Sequence, residues 1–440
     1  MRSLRTLLVT AVLVSSLGAC EKKPQATADP PKSAAAPPSP APPAPAPPAS
    51  EGTPMTKPLA TDEVTVLAKG SNDLAFDLYG RMKASAGNLA FAPASISAAL
   101  AMTYGGAKGE TAAQMKKTLH FTADPPATMT SWGGLTKTLA DPARPMKLRV
   151  ANRLFGEKTY TFEAPYLAAT KDAFGAPLEP VDFKTAFEPA RAWINGWVEE
   201  QTEKRIKDLL PARSLNGDTR LVLVNAIYFL AEWEEPFEKE RTRDEPFNLT
   251  ATTKKNVPTM KRTEHLPIAK VPGASVLELP YKGSTSMLVV LPERVDGLAD
   301  VEKSLSSAAL ASWRSALKVE NVRVELPRFE VNPAASLALA KELTALGMPD
   351  AFDREKADFT AMAHPPDPRD RLYIGEVFHK AFVKTDEKGT EAAGATAVVM
   401  ARAGGVPQKP IDFLVDRPFL FFIVDKPSSL VLFMGRVTEP

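Results

Sequence analysis

The side chains able to carry nucleophilic, acid–base or metal chemistry are few, and their spacing does not suit it. The 440-residue chain has four histidines and one cysteine. His120, His265, His364 and His379 form no HExxH pair, and a lone Cys20 leaves neither a paired-thiol metal site nor an intramolecular disulfide. No Gly-x-Ser-x-Gly elbow and no phosphate-cradling glycine loop occurs. His379, between Phe378 and Phe382, reads as a hydrogen-bonded core residue. The expectation is therefore no enzyme, no metal and no cofactor. Fifty-four Lys and Arg against 52 Asp and Glu, a net charge of +2, point to no nucleic acid and no acidic surface as partner.

Cys20 has a different chemistry available. Arg2 and Arg5 precede an apolar run over residues 7–17, and Leu17, Gly18 and Ala19 lead directly into the cysteine. This is a secretory signal that resembles a bacterial lipobox, cut before Cys20 with the sulfur then acylated. The apolar run is too short to span a bilayer. The alternative is an ordinary signal peptide with a stray cysteine. On the first reading residues 1–19 are removed and the mature chain is held by its lipid alone. Glu21, where Asp would favour inner-membrane retention, points to the outer membrane, on its periplasmic face or at the cell surface. Proline numbers 41, much of it before residue 60. Such a Pro- and Ala-rich segment buries too little to fold and favours polyproline II. At ~3.1 Å per residue it reaches roughly 100 Å. Residues 20–61 thus form a spacer, and 62–440 the folded domain.

Within that domain Leu74, Leu78 and Met82 recur every fourth residue, the mark of a helix with one buried stripe. A second helix fits Pro93 to Tyr104, stopped by Gly105 and Gly106. Thr111 and Gln114 have capping-box spacing and would start a third. Trp193, Ile194, Trp197 and Val198 mark another, ending at Pro211. Residues 221–230 form an apolar run that suits a strand buried on both faces. Val322, Val324 and Leu326 alternate with Arg323 and Glu325, giving a strand with one wet face. Residues 419–424 and 430–437 suit a hairpin. Helices early, strands late and no βαβ alternation indicate an α+β fold.

Five stretches, in order, resemble the serpin family: NLAFAPASISAALAM (88–102) with GAKGET (106–111); VNAIYF (224–229) with Trp233 and Phe237; LPYKG (279–283) with MLVVLP (287–292); HKAFVKTDEKGTEAAGAT (379–396); and RPFLFF (417–422) with LFMGRV (432–437). The resemblance implies three β-sheets, eight or nine helices and an exposed reactive loop. It implies inhibition of a serine protease, with a cysteine protease as the alternative target, by a monomer whose loop enters the large central sheet after cleavage.

Family counting places the hinge of that loop at Glu387, Gly389, Thr390, Glu391, Ala392, Ala393, Gly394, Ala395 and Thr396. From Thr390 every second residue (Ala392, Gly394, Thr396, Val398, Met400) would face the core, and all are small or apolar. No proline or charge falls between residues 392 and 401, so the segment is chemically able to become a strand. The bond to be cut is Ala403-Gly404, or Arg402-Ala403 if the hinge is one residue shorter. Ser95, Asn225, Trp233 and His379 match the positions that control sheet opening, and Ala92 departs from a frequent serine there. The rival reading is a non-inhibitory serpin that serves as a binding or chaperone-like surface protein. No basic stripe points to a glycan cofactor.

Overall fold

The computed structural model describes residues 59–175, 178–365, 367, 370–390 and 409–440. Among them are nine α-helices: α1 (Thr61–Met82), α2 (Pro93–Tyr104), α3 (Gly109–Thr118), α4 (Pro125–Leu139), α5 (Ala164–Phe174), α6 (Phe183–Gln201), α7 (Leu298–Lys303), α8 (Ser307–Ser315) and α9 (Ala340–Leu346). The smaller sheet contains β2 (Lys147–Glu157), β3 (Glu179–Val181), β4 (Leu221–Glu232), β10 (Phe329–Val331), β11 (Leu337–Ala338), β12 (Val377–Asp386) and β13 (Gly389–Thr390). The larger contains β1 (Leu89–Phe91), β5 (Arg243–Asn248), β6 (Lys254–Val271), β7 (Ala274–Pro280), β8 (Thr285–Pro292), β9 (Lys318–Pro327), β14 (Ile411–Leu414), β15 (Phe419–Asp425) and β16 (Leu430–Val437).

The larger sheet runs β1-β16-β15-β8-β7-β6-β9-β14, with β5 also on β6. Its continuity comes from β6, whose 18 residues pair with β5 at one end, β9 along the middle and β7 at the other. What the family resemblance counts as two sheets therefore shares one strand here. The sheet with fewer strands, which corresponds to the central sheet of the family resemblance because the other joins two sheets through β6, runs β10-β12-β13-β4-β2-β3. Along β4 the two faces differ. Val222, Val224, Ala226 and Tyr228 pack with α6 and the segment after it, while Leu223, Ile227, Phe229 and Ala231 join the main core. A strand covered on both sides must be apolar at every position, as residues 221–230 are.

Helix α2 occupies the span between Pro93 and the glycine pair, with proline in its first turn where its missing N–H is harmless. All twelve of its residues are buried, so it is an interior helix apolar on every side. Two expectations need correction. Thr111 does not cap α3: the helix begins two residues earlier, and the Thr111 hydroxyl accepts from the Asp358 N–H at 2.9 Å. A tertiary partner has taken the group a local cap would have used. Helix α6 ends at Gln201, ten residues before Pro211, and contains Pro189 and a non-helical Ala186. Residues 202–210 instead form an irregular cover, its Ile206, Leu209 and Leu210 buried with Ile194 and Val198 against the sheet.

Candidate functional site, a sheet parted at one end

The seam between β4 and β12 is built in two ways. Over its lower six residues the strands pair directly and in parallel, from Val377 opposite Leu223 to Phe382 opposite Tyr228. Above that they separate. The chain turns at Glu387 and Lys388 and returns between them as β13. Thr390 lies opposite Thr385 on one side and Ala231 on the other, Gly389 opposite Asp386 and Glu232. Two residues of a third strand thus already lie in the gap.

Gly389 is required there by space. Its φ is +155°, and a Cβ would sit 2.1 Å from the Ala231 carbonyl oxygen. Trp233, fully buried, braces the turn: its Nε1 donates to the Asp386 carbonyl at 3.0 Å and its backbone N–H to the Lys388 carbonyl at 2.9 Å. The indole stacks on Tyr281, ring centroids 4.4 Å apart and planes 5° from parallel. The Tyr281 hydroxyl meets Thr390 Oγ1 at 2.6 Å, and Thr385 Oγ1 is 3.3 Å from the same oxygen. Burial pushes the Tyr281 phenol far up, so it remains a neutral hydroxyl.

Glu387 is buried beside this turn. Arg328 Nε donates to both of its carboxylate oxygens, at 2.8 and 3.0 Å, and the Thr242 hydroxyl also donates to it. Burial alone would raise this carboxyl, but the hydrogen bonds from Arg328 and Thr242 and the guanidinium charge hold it below its ordinary value.

Lower on the seam, beneath the paired strands, lies a polar cluster without a charge. Asn225 Nδ2 donates to the Ser95 carbonyl at 2.8 Å, to Ser95 Oγ at 2.6 Å and to Asn152 Oδ1 at 2.6 Å. The Asn225 Oδ1 faces His379 Nδ1 at 2.5 Å, and His379 Nε2 accepts from the Ala92 N–H at 3.0 Å. Since Nε2 accepts, the ring proton sits on Nδ1 and donates to Asn225. Complete burial pushes His379 down to about 3, so the imidazole is neutral. The missing hydroxyl at Ala92 leaves the ring satisfied, because a backbone donor serves it.

Ser95, Asn225 and His379 thus converge in one cluster, while Trp233, Glu387, Gly389 and Thr390 converge at the parted end. Glu391, Ala392, Ala393, Gly394, Ala395, Thr396, Arg402, Ala403, Gly404 and Cys20 lie outside the described residues. Five participants escaped the sequence reading as site residues: Asn152, Thr242, Tyr281, Arg328 and Thr385. Asn152, an amide within the strand pattern of β2, carried a faint signal. Arg328 carried none, since Glu387 is 59 residues away.

Comparison with known proteins bears on this arrangement. The family model described as serpin (serine protease inhibitor) matches residues 69–440. The leukocyte elastase inhibitor of Equus caballus is 41% identical over 386 residues, covering 85% of this chain and 99% of that protein. Leukocyte elastase inhibitor A of Mus musculus is 40% identical over 385 residues, with the same coverage. Uncleaved ovalbumin superposes with a TM-score of 0.76 at 30% identity, over 85% of this chain and all of that one. The matched family is described by what it does to serine proteases, inhibition, and not by a reaction of its own. With the α+β architecture and the family match over residues 69–440, the chain belongs to the serpin family of serine protease inhibitors.

Proposed function

We propose that this protein inhibits its target protease as a suicide substrate. The cleaved loop enters the seam between β4 and β12 while the protease is still acyl-linked. The observation that carries the reading is β13, which fixes a register for anything that follows it. Continuing that register two residues at a time puts Ala392 level with Phe229 and Val383, and Gly394 level with Ile227 and Ala381. Thr396 arrives level with Asn225 and His379, and Val398 with Leu223 and Val377. The one hydroxyl among these incoming residues meets the polar level of the seam, and the apolar ones meet apolar levels. Burying Val398 and Met400 returns about 1.5–3 kcal/mol each. Six direct strand pairs must part, and each is replaced by pairs on both sides of the new strand.

The relatives named leukocyte elastase inhibitors support a protease with a small, neutral primary pocket, which suits Ala403-Gly404. Cleavage at Arg402-Ala403 would suit an acidic pocket. Incubating the purified protein with elastase, subtilisin and trypsin separates these readings. Inhibition predicts an SDS-resistant adduct at a stoichiometry near one, and the mass of the released C-terminal fragment identifies the bond. Cleavage with no adduct by any of them would overturn inhibition in favour of a non-inhibitory binding role.

The domain acts as a monomer displayed on a tether: Cys20 carries the lipid, and residues 21–61 hold the inhibitor away from the outer membrane. The Cys20→Ser protein should leave the membrane fraction. Retention there would contradict the anchor.

A further inference from the structure

The cover formed by residues 202–210 leaves a cavity of about 350 Å³ over β12. Lys204, Arg205, Lys207 and Lys380 line it against two carboxylates, Asp208 and Glu330. One of those carboxylates is shared, since Glu330 also faces Lys384 at 3.6 Å. At the floor is Lys380, 7% exposed, whose ammonium donates to the Lys207 carbonyl at 3.0 Å and has two further N–H groups. Burial pulls its pKa down, against the opposing charge of Asp208. The Phe382 ring forms an apolar wall, with the Arg205 guanidinium 5.9 Å above it. Lys204 and Lys207 stand exposed at the mouth, and Lys207 is only loosely paired with Glu199 at 3.6 Å. A buried ammonium beneath two exposed lysines, Lys204 and Lys207, with one of the two facing carboxylates shared with Lys384, is a site for an anion whose several oxygens can bridge floor and rim.

We propose that this cavity binds a phosphate or sulfate group, free or carried on a sugar, and that the bound group fastens β12 to the 202–210 cover. Resting on the loop-insertion reading, the consequence is regulatory. β12 must move away from β4 to admit a strand, and an anion holding Lys380 to Lys204 and Lys207 slows that movement. More of the inhibitor is then cleaved as plain substrate.

Binding is measured directly on the intact protein at low ionic strength, where screening is weak. Isothermal titration with inorganic phosphate, inorganic sulfate and a 6-sulfated monosaccharide distinguishes a free from a sugar-borne group. The expected result is saturable one-to-one binding of at least one of them. It should weaken by about tenfold or more in the Lys204→Glu, Lys207→Glu double variant, whose changes are on the surface, and in Lys380→Met. Absence of saturable binding, or equal binding by wild type and the double variant, overturns the site. With saturating anion the stoichiometry of inhibition should rise in the wild type and not in the double variant. An unchanged stoichiometry despite binding overturns the regulatory role alone. A protein that binds the anion yet forms no adduct with any protease keeps the site and refutes loop insertion instead.

Discussion

At the Trp233 end of the seam a third strand already lies between β4 and β12, whereas below Tyr228 and Phe382 the two strands pair directly over a knot of amides, a serine and a neutral imidazole. The upper end is held by shape, with an indole stacked flat on a phenol, a glycine that alone fits against Ala231, and a bidentate Arg328–Glu387 pair at its flank. The lower stretch is held by hydrogen bonds whose geometry tolerates little displacement. On the proposed mechanism, a strand entering at Thr390 would meet its resistance lower down, at the level of Asn225 and His379.

The variant that should break this contrast most severely is Thr390→Arg. Thr390 has no exposed surface and touches Tyr281 and Thr385, so a guanidinium there must either be buried unpaired or keep the third strand out. Adduct formation should fall by about 100-fold or more while cleavage of the loop continues. Undiminished adduct would refute entry at this end. In the lower stretch, His379→Ala leaves the Ala92 N–H and the Asn225 amide oxygen without their partner and opens a void. A loss of about 3 kcal/mol in urea unfolding is expected. It should be accompanied by a slow drift of the uncleaved protein to a more heat-stable, non-inhibitory form.

Acid should act on the same stretch without any mutation. Folded His379 stays neutral down to about 3, while the unfolded imidazole takes up a proton near 6.5. Between those values the unfolded chain binds more protons, so stability falls as the pH drops through the window and is unaffected above it. At pH 5 the contribution is about 2 kcal/mol, and it should vanish in His379→Ala. Trp233→Phe should be mildest, because a ring still stacks on Tyr281 and the losses are the hydrogen bond to Asp386 and part of the buried indole volume, about 2 kcal/mol in the same unfolding assay. Equal losses from Trp233→Phe and His379→Ala would erase the distinction between an end held by shape and a stretch held by hydrogen bonds.

Some of this was legible before any coordinates. Proline at 93 and the glycine pair after Tyr104 bracket α2 because both act locally, and the unbroken apolar run of β4 declares burial on both faces. The alternation in β9 reads correctly for the same reason: Val322, Val324 and Leu326 are all fully buried. What was hidden depends on partners far apart in sequence. The Thr111 hydroxyl looked like a cap until Asp358 claimed it. Asn152 meets Asn225 across 73 residues, and Arg328 reaches Glu387 across 59. β13 is only two residues long, too short for any period to register. Its existence is decided by the width of the gap between β4 and β12, a tertiary property with no local signature.

On the proposed mechanism a cut loop adds a strand to the seam, and the protein should then be more stable than before the cut. Nicking the loop with a non-target protease and comparing melting temperatures by calorimetry measures that difference directly. The nicked protein should melt far above the intact one, with residues from Ala392 onward newly protected from hydrogen exchange. Coincident transitions for nicked and intact protein would mean that no strand is waiting to enter, and that β13 is merely the end of a turn.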